Sequence, residues 1–316
     1  MSKNPIKLSA TLLGMALVAF TSCEDQDFID VNNDATRVEV NTISAEMAKV
    51  RDYVPPYAVM AHRGSTFWAP EETESAWRWA REMGADYLES DLQCTKDGVI
   101  LANHDDNLKR TTNIENVYSE LVPATRKAFY MRHGMSEAEA EKLVEADKAS
   151  FRPYYAMSYM YEELLALDAG SWFNETSIEQ ARESFSEQHQ YISTLEDQIR
   201  YAEGKMLKRD VNGERIYTVT GTWNPDKPRD CLTYKFEYVD DPQDTGHRPG
   251  VYIEFKESWL NPSDFEKRVY NKLDELGWNI ITKPCDGEPF YKNNKVNVGN
   301  TNGKVILQTF SLESLR

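Results

Sequence analysis

The sequence GADYLESDLQCTKDGVILANHD, residues 84–105, indicates the fold class of the chain. Its segments 85–92 and 98–104 are short and apolar, and the turn signal TKDG separates them, so we predict two β-strands. Upstream, residues 57–64 (YAVMAHRG) predict another strand, and residues 72–83 predict a helix that ends before a glycine. Short apolar strands that alternate with helices are typical of a parallel α/β sheet or barrel.

The same alternation continues further along the chain. Residues 250–256 (GVYIEFK) predict a strand, residues 262–276 a helix, and residues 304–310 (KVILQTF) one more strand. Two stretches interrupt the pattern. Residues 113–165 are predicted to be largely helical, and residues 203–248, which contain the hairpin signal Asn-Gly, are predicted to be β-structure. We therefore expect an α/β core domain with one helical and one β insertion.

The composition is that of a globular protein, and its charge excludes one class of partner. The chain has 316 residues, of which 41% are hydrophobic and 28% charged, and its net charge is -16. Nucleic acid requires a basic surface, so we expect no nucleic-acid partner. An anionic substrate would need a local excess of positive charge, supplied by a cation and a few Lys or Arg side chains. Cys94, Cys231 and Cys285 show no metal-ligand spacing and cannot all pair with one another.

Two acidic residues occupy the second predicted strand. Glu89 and Asp91 are two positions apart, so on a strand both side chains point to the same face. Two carboxylates on one face of an apolar strand repel each other and are costly to bury. A divalent cation would resolve this conflict, and carboxylate oxygens favour Mg²⁺ or Ca²⁺. The alternative is an exposed strand end at which both acids are solvated.

Ionisable residues also end the neighbouring predicted strands. His62 and Arg63 end the first strand, His104 the third, and Glu254 and Lys256 the fourth. In a parallel barrel such positions project to the C-terminal face, where barrel enzymes place their sites. A single histidine at a strand end is more often structural, but the recurrence over four strands favours a site. Two histidines suit general acid and base catalysis, and Glu254 would join the cation site while the two basic residues contact a phosphate.

Several segments resemble, in order, the motifs of the glycerophosphodiester phosphodiesterase family. They are HRGSTFWAPEETESAW, GADYLESDLQCTKDGVILANHDDNLKRTT, LLALDAGSWF, ISTLEDQI and VYIEFK, between residues 62 and 256. HRG, P-E-x-T, E-x-D, HD and I-E-x-K seldom occur together by chance. The resemblance implies a TIM-type (β/α)8 barrel that cleaves glycerophosphodiesters to an alcohol and glycerol phosphate with Mg²⁺ or Ca²⁺.

The resemblance also implies a role for each matching residue. The acid/base pair would be His62 and His104, the metal ligands Glu89, Asp91 and Glu254, and the phosphate contacts Arg63 and Lys256, with Glu71 beside the site. At the next position the chain departs from the family pattern, because Glu72 stands where the family has asparagine. This exchange puts the hydrogen bonding of that loop in doubt.

A family-type barrel needs more strands than this sequence contains. The chain ends at Arg316, a few residues after its fifth predicted core strand. We therefore expect residues 51–316 to form a barrel domain that is truncated after about that strand. Either the sequence is a fragment of a longer protein, or another chain completes the wall.

The first residues predict export and a lipid anchor. Lys3 and Lys7 precede an apolar run, Leu8–Phe20, that is too short to span a membrane. Small residues then precede Cys23, which resembles a bacterial lipoprotein signal (residues 1–23) with an acylated cysteine; an ordinary secretory peptide is the alternative. Residues 24–50 would be a tether and N-terminal segment, and the protein would be attached to the bacterial cell envelope by its lipid alone.

Three functional hypotheses remain open from the sequence. The first is hydrolysis of a small-molecule glycerophosphodiester by the two histidines and a metal ion. A related enzyme would be a phospholipase D-like or envelope-polymer hydrolase on the same scaffold. The third is a non-catalytic lipoprotein that binds phosphorylated ligands or glycans, although a pure binder has no need of two proton-transfer groups.

Overall fold

The computed structural model describes residues 57–173, 189–256, 260–278, 291–292, 295–296 and 305–315. The chain divides into two units, Met1–Tyr53 and Val54–Arg316, and all described residues belong to the second. The predicted signal peptide and tether, with Cys23, lie outside the described residues. Within the part that is described, no helix combines the length and apolar character that a membrane crossing requires.

The described chain alternates strands and helices. The strands are β1 (Met60–Ala61), β2 (Tyr87–Cys94), β3 (Ile100–Ala102), β4 (Lys205–Leu207), β5 (Tyr217–Gly221), β6 (Leu232–Phe236), β7 (Tyr238–Asp240), β8 (Gly250–Phe255), β9 (Tyr291–Lys292), β10 (Lys295–Val296) and β11 (Val305–Thr309). The α-helices are α1 (Glu74–Glu82), α2 (Ile114–Val117), α3 (Arg126–Arg132), α4 (Glu137–Ser150), α5 (Tyr161–Leu164), α6 (Leu195–Ala202), α7 (Phe265–Glu275) and α8 (Leu312–Leu315).

Five strands form the main sheet. Four of them, in the order β1-β2-β8-β11, run parallel, and β3 pairs with β2. Leu92 of β2 pairs with both Phe255 of β8 and Ala102 of β3, so β3 lies on the edge of β2 that β1 also occupies. The predicted α/β class with a parallel sheet is confirmed. Among the described residues the sheet is open, and no closed barrel is present.

The predicted direction of the third strand is wrong. We expected residues 98–104 to run parallel to the others, with His104 at the C-terminal face, but β3 is antiparallel to β2. Only residues 95–99 separate the two strands, and a connection that short can join antiparallel neighbours only, because a parallel crossover needs about a dozen residues or more. Gly98, at φ +91°, supplies the backbone conformation of the turn.

The core lies between the main sheet and helices α1, α6 and α7. Helix α1 begins after Thr73, whose hydroxyl accepts a hydrogen bond from Ala76 N, and its apolar face places Trp77 in the core. Helix α7 confirms the helix predicted over 262–276. Apolar side chains from these helices and from β2 and β8 fill the space between them: Trp77, Leu88, Leu92, Ile199, Val251, Ile253, Phe265, Val269 and Leu273.

The stretch 113–165 holds helices α2 to α5, and the stretch 203–248 holds two antiparallel strand pairs. Strands β5 and β6 pair with each other, and so do β4 and β7. The ring of Trp223 lies 5.1 Å from that of Tyr130 on α3, so the two stretches pack together. Arg215 donates to the buried carboxylate of Asp197 on α6 at 2.9 Å, which ties the second stretch to the core helices.

Candidate active site

Two parallel strands bring three carboxylates together. Asp91 of β2 pairs in register with Glu254 of β8, so their side chains point to the same face, and Glu89 shares that face at a spacing of two residues. One oxygen from each of the three lies within 4.8 Å of the others, and all three residues are buried. We call Glu89, Asp91 and Glu254 the acid triad. The neighbouring apolar side chains Leu88, Leu92 and Ile253 pack in the core on the other face of the sheet, and because side chains alternate along a strand, the three acids point to the opposite face.

The electrostatics of the acid triad favour a bound cation. Burial, and then the nearby Asp91 charge, raise the pKa of Glu89 to about 8. Burial also raises the pKa of Asp91, against the opposing effect of the Lys256 ammonium. Asp91 Oδ2 is buried without a hydrogen bond. A hard divalent cation such as Ca²⁺ or Mg²⁺ matches three carboxylate donors and an unsatisfied buried oxygen, so these residues fit the metal that the sequence predicts.

The loop after β1 places Arg63 against the acid triad. Its backbone N–H donates to Glu89 Oε2 at 2.6 Å, and its Nε lies 3.3 Å from Asp91 Oδ2, within ion-pair range but without hydrogen-bond geometry. This arrangement requires a left-handed backbone at Arg63, with φ 55°. At Gly64, φ is +88° and a Cβ atom would lie 2.7 Å from Ala76 Cβ, so the glycine lets the loop lie against α1.

His104 lies beside the acid triad and is held at both ring nitrogens. Its Nδ1 is 2.6 Å from Asp105 Oδ1, and its Nε2 is 3.2 Å from Lys256 Nζ. Because an ammonium only donates, Nε2 is the acceptor of this pair and the ring proton lies on Nδ1. Lys256 also donates to Glu254 at 2.9 Å and lies 3.5 Å from Asp91 Oδ1. The structure thus joins His104, Lys256 and the acid triad in one network.

His62 takes a different position from His104. It follows β1 directly, precedes Arg63 and is exposed to solvent. It therefore sits at the rim of the site, on the loop whose next residue contacts Glu89.

The two glutamates that follow Pro70 have separate roles. Glu71 accepts a hydrogen bond from Arg63 Nη1 at 3.2 Å. Glu72, which replaces the family's asparagine, is buried and accepts from Asp91 N at 2.7 Å. Pairing of β1 with β2 ends at Leu88, so this side chain takes the place of a strand partner for Asp91. Burial, together with the nearby Asp91 charge, raises the pKa of Glu72 well above its ordinary value.

Two further residues lie at the site without having been predicted from the sequence. Gln308 of β11 pairs in register with Glu254 and donates to its Oε2 at 2.8 Å. A polar residue within the apolar run VILQTF is a signal that could have found it. Arg110 donates to both Glu71 and Asp105. It lies in a loop six residues after His104, inside the quoted segment HDDNLKRTT, and its position in that segment is the signal that could have found it.

Comparison with known proteins identifies the family. The chain belongs to the glycerophosphoryl diester phosphodiesterase family, whose model matches residues 62–253. A glycerophosphodiester phosphodiesterase of Bacillus subtilis (strain 168) is 32% identical over 126 residues, which are 40% of this chain and 30% of that protein. A mouse glycerophosphoinositol inositolphosphodiesterase is 30% identical over 127 residues, 40% of this chain and 18% of that protein. The aligned part therefore spans less than a third of either relative.

Solved structures of phosphodiesterases show a weaker similarity. One is a phosphodiesterase from Oleispira antarctica in complex with the product sn-glycerol-3-phosphate, with 17% identity and a TM-score of 0.40. The alignment covers 84% of this chain and 62% of that one.

Proposed function

We propose that this chain hydrolyses glycerophosphodiesters to an alcohol and glycerol phosphate with the help of Ca²⁺ or Mg²⁺. The observation that carries the proposal is the buried acid triad, in which one oxygen of each residue lies within 4.8 Å of the others and the pKa of Glu89 is raised. Membership of the family over residues 62–253 supports the reaction class. The similarity to a Bacillus subtilis protein named as a glycerophosphodiester phosphodiesterase supports the substrate class.

The basic side chains would bind and orient the phosphate. Arg63 presents a planar guanidinium at the edge of the acid triad, and this geometry suits two phosphate oxygens at once. Burial acts against the Lys256 charge, but the Glu254 and Asp91 carboxylates raise the pKa of Lys256, so it remains a cation beside the site. A bound metal ion would supply Lewis-acid stabilisation of the charge that develops on the phosphate oxygens. Together these charges offset the net -16 of the chain locally.

The two histidines would move the protons of the reaction. One takes the proton of the nucleophile that attacks phosphorus, and the other gives a proton to the leaving alkoxide. The unprotonated Nε2 of His104 points toward Lys256 and the acid triad, so it can exchange a proton with a group bound there. The exposed ring of His62 is accessible to the leaving alcohol from the rim.

A product assay tests the reaction. The purified chain is incubated with glycerophosphocholine and Ca²⁺ or Mg²⁺, and glycerol 3-phosphate, free choline and phosphocholine are quantified. The proposal predicts glycerol 3-phosphate and free choline. In a parallel incubation with phosphatidylcholine, release of phosphatidic acid without turnover of glycerophosphocholine would indicate the phospholipase D-like alternative. Binding of glycerophosphocholine without any product would contradict the proposal and leave the non-catalytic binding protein.

We further propose that the protein is exported and attached to the bacterial cell envelope through an acylated Cys23. The support is the sequence alone: two lysines, the apolar run Leu8–Phe20 and small residues before the cysteine. Detergent-phase partitioning and incorporation of labelled palmitate test it. The wild type should partition into the detergent and carry the label, and Cys23→Ser should do neither. A soluble, unlabelled wild type would contradict the anchor.

A further inference from the structure

Arg110 forms hydrogen bonds with two carboxylates near the acid triad, those of Asp105 and Glu71. Its guanidinium donates to Asp105 Oδ2 at 2.6 Å through Nε and to Asp105 Oδ1 at 3.1 Å through Nη2. The same group donates to Glu71 Oε2 at 2.9 Å through Nη1 and to Glu71 Oε1 at 2.6 Å through Nη2. One planar fork thus binds two carboxylates, each at both oxygens, which fixes both in position relative to each other.

Each of these carboxylates continues to a residue of the site. Asp105 Oδ1, held by Arg110, accepts from His104 Nδ1 at 2.6 Å, so its orientation decides which ring nitrogen of His104 keeps the proton. Glu71 Oε1, on the other side, accepts from Arg63 Nη1 at 3.2 Å. Displacing Arg110 would therefore release the histidine and the phosphate-binding arginine together.

We propose that Arg110 is a positioning residue that sets the orientation of His104 through Asp105 and of Arg63 through Glu71. The inference rests on the proposed function, because it assigns Arg110 to the same site. It makes one side chain responsible for positioning both a proton-transfer group and a phosphate contact. Arg110 lies within the stretch that matches the family, residues 62–253, but no role was predicted for it from the sequence.

The charges of the network agree with this role. Burial acts to raise the pKa of Asp105, but hydrogen bonds from Arg110 and His104 lower it to about 2. Burial also acts to raise the pKa of Glu71, but the hydrogen bonds and the charge of Arg110 outweigh this effect, so the pKa is lowered. Near neutral pH both carboxylates are therefore ionised in the folded protein and accept these hydrogen bonds. Exposed ion pairs usually contribute little to stability, so the expected effect of Arg110 is on the site rather than on the fold.

The decisive comparison is Arg110→Gln against Arg248→Gln. Arg248 is a matched control because it is equally exposed and makes a two-oxygen contact with Asp244, at 2.7 Å each. We expect Arg110→Gln to lower kcat by about 10- to 100-fold and to raise KM, with a Tm close to that of Arg248→Gln. Arg110→Lys should recover little, because one ammonium cannot bind both carboxylates bidentately. If both Arg110 variants keep kcat and KM within about twofold of wild type, the proposal is wrong.

A double-mutant cycle separates the two arms. In an Asp105→Asn background, Arg110→Gln should cost less than about threefold further in kcat while still raising KM, because the His104 arm is already broken. In a Glu71→Gln background, Arg110→Gln should still lower kcat but should raise KM little further, because the Arg63 arm is already broken. Equal losses of kcat in wild-type and Asp105→Asn backgrounds would mean that Arg110 does not act through Asp105.

One readout does not depend on turnover. Nitrogen-15 NMR reports whether the neutral His104 ring carries its proton on Nδ1, with His104→Gln as the assignment control. We expect this tautomer in wild type and in Arg248→Gln, and a mixture with the Nε2-protonated form in Arg110→Gln. An unchanged His104 signal in Arg110→Gln would overturn the inference. If the wild type releases no product, the proposed function fails, and the NMR comparison still decides the role of Arg110.

Discussion

The acids and the histidines of the site are positioned by different parts of the fold. Glu89, Asp91 and Glu254 lie on paired strands, are 7% exposed or less, and are fixed relative to one another by backbone register. His62 and His104 lie on loops at the ends of short strands, one exposed and the other oriented by Asp105. The sheet therefore positions the proposed cation ligands, whereas a side-chain contact orients His104, one of the two proposed proton-transfer groups.

The largest effect is expected from substitutions in the acid triad, whose residues lie on β2 and β8. Glu89→Gln and Asp91→Asn keep the shape of the side chain but remove a ligand charge from the acid triad. Because a catalytic metal supplies several kcal/mol of transition-state stabilisation, each should lower kcat/KM by about 10⁴-fold or more and abolish metal binding in calorimetry. Glu237→Gln, which alters a surface carboxylate paired with Lys208, is the control. Metal binding and turnover that survive in either triad variant would place the cation elsewhere.

Substitution of the two histidines, which lie on loops, should leave metal binding intact. His62→Ala and His104→Ala each remove a proton-transfer group and should lower kcat by roughly 10²- to 10⁴-fold, with metal affinity within about threefold of wild type. His189→Ala, at an exposed histidine in edge contact with Tyr191, should change neither quantity. Metal affinity that falls together with kcat in His104→Ala would contradict the division between the acid triad and the histidines.

A smaller effect is expected where a side chain supports the acid triad from a neighbouring strand. Gln308→Ala removes the donor that orients Glu254 Oε2 at 2.8 Å. Loss of such a partner behind a metal ligand typically weakens metal affinity by about 10- to 100-fold, and calorimetric titration measures it. Gln243→Ala, at an exposed glutamine between β7 and β8, serves as the control. An unchanged metal Kd would show that strand register alone fixes Glu254.

The smallest effect is a pH dependence of stability in metal-free protein. The folded-state pKa of Glu89 is about 8, above its ordinary value of 4.5, so the folded chain holds a proton that the unfolded chain releases. Its stabilising contribution is present below about pH 4.5 and is lost as the pH rises to about 8. The Tm of the metal-free wild type should therefore fall over this range more steeply than that of Glu89→Gln. Equal slopes for the two proteins would contradict the buried, protonated Glu89.

The sequence predicted the acid triad on β2 and β8 better than it predicted the residues on the loops. The spacing of Glu89 and Asp91 requires a shared face in any strand, because side chains alternate with a period of two. The pairing of Asp91 with Glu254 across more than 160 intervening residues follows from the sheet order, which no local pattern specifies. Gln308 was missed for the same reason: its role depends on which strand lies beside β8.

The position of His104 was predicted on a wrong premise. It reaches the site because β3 returns along β2, and the hydrogen bond from Asn103 N to Asp91 O, at 2.8 Å, ends this return beside the acid triad. The short TKDG connection contained that information, so turn length could have corrected the strand direction. The contacts of Arg110 depend on where two loops meet, and neither propensity nor periodicity predicts such a meeting.

The most direct test of the account is the activity of the purified chain as a function of added metal. The protein is stripped with EDTA, dialysed and assayed for glycerol 3-phosphate release from glycerophosphocholine while Ca²⁺ or Mg²⁺ is titrated back. We expect no turnover in metal-free protein and saturable recovery as metal is added, with a half-point that matches the calorimetric Kd. Asp91→Asn should show no recovery. Full activity in the stripped wild type would contradict the claim that the acid triad holds a cation required for hydrolysis.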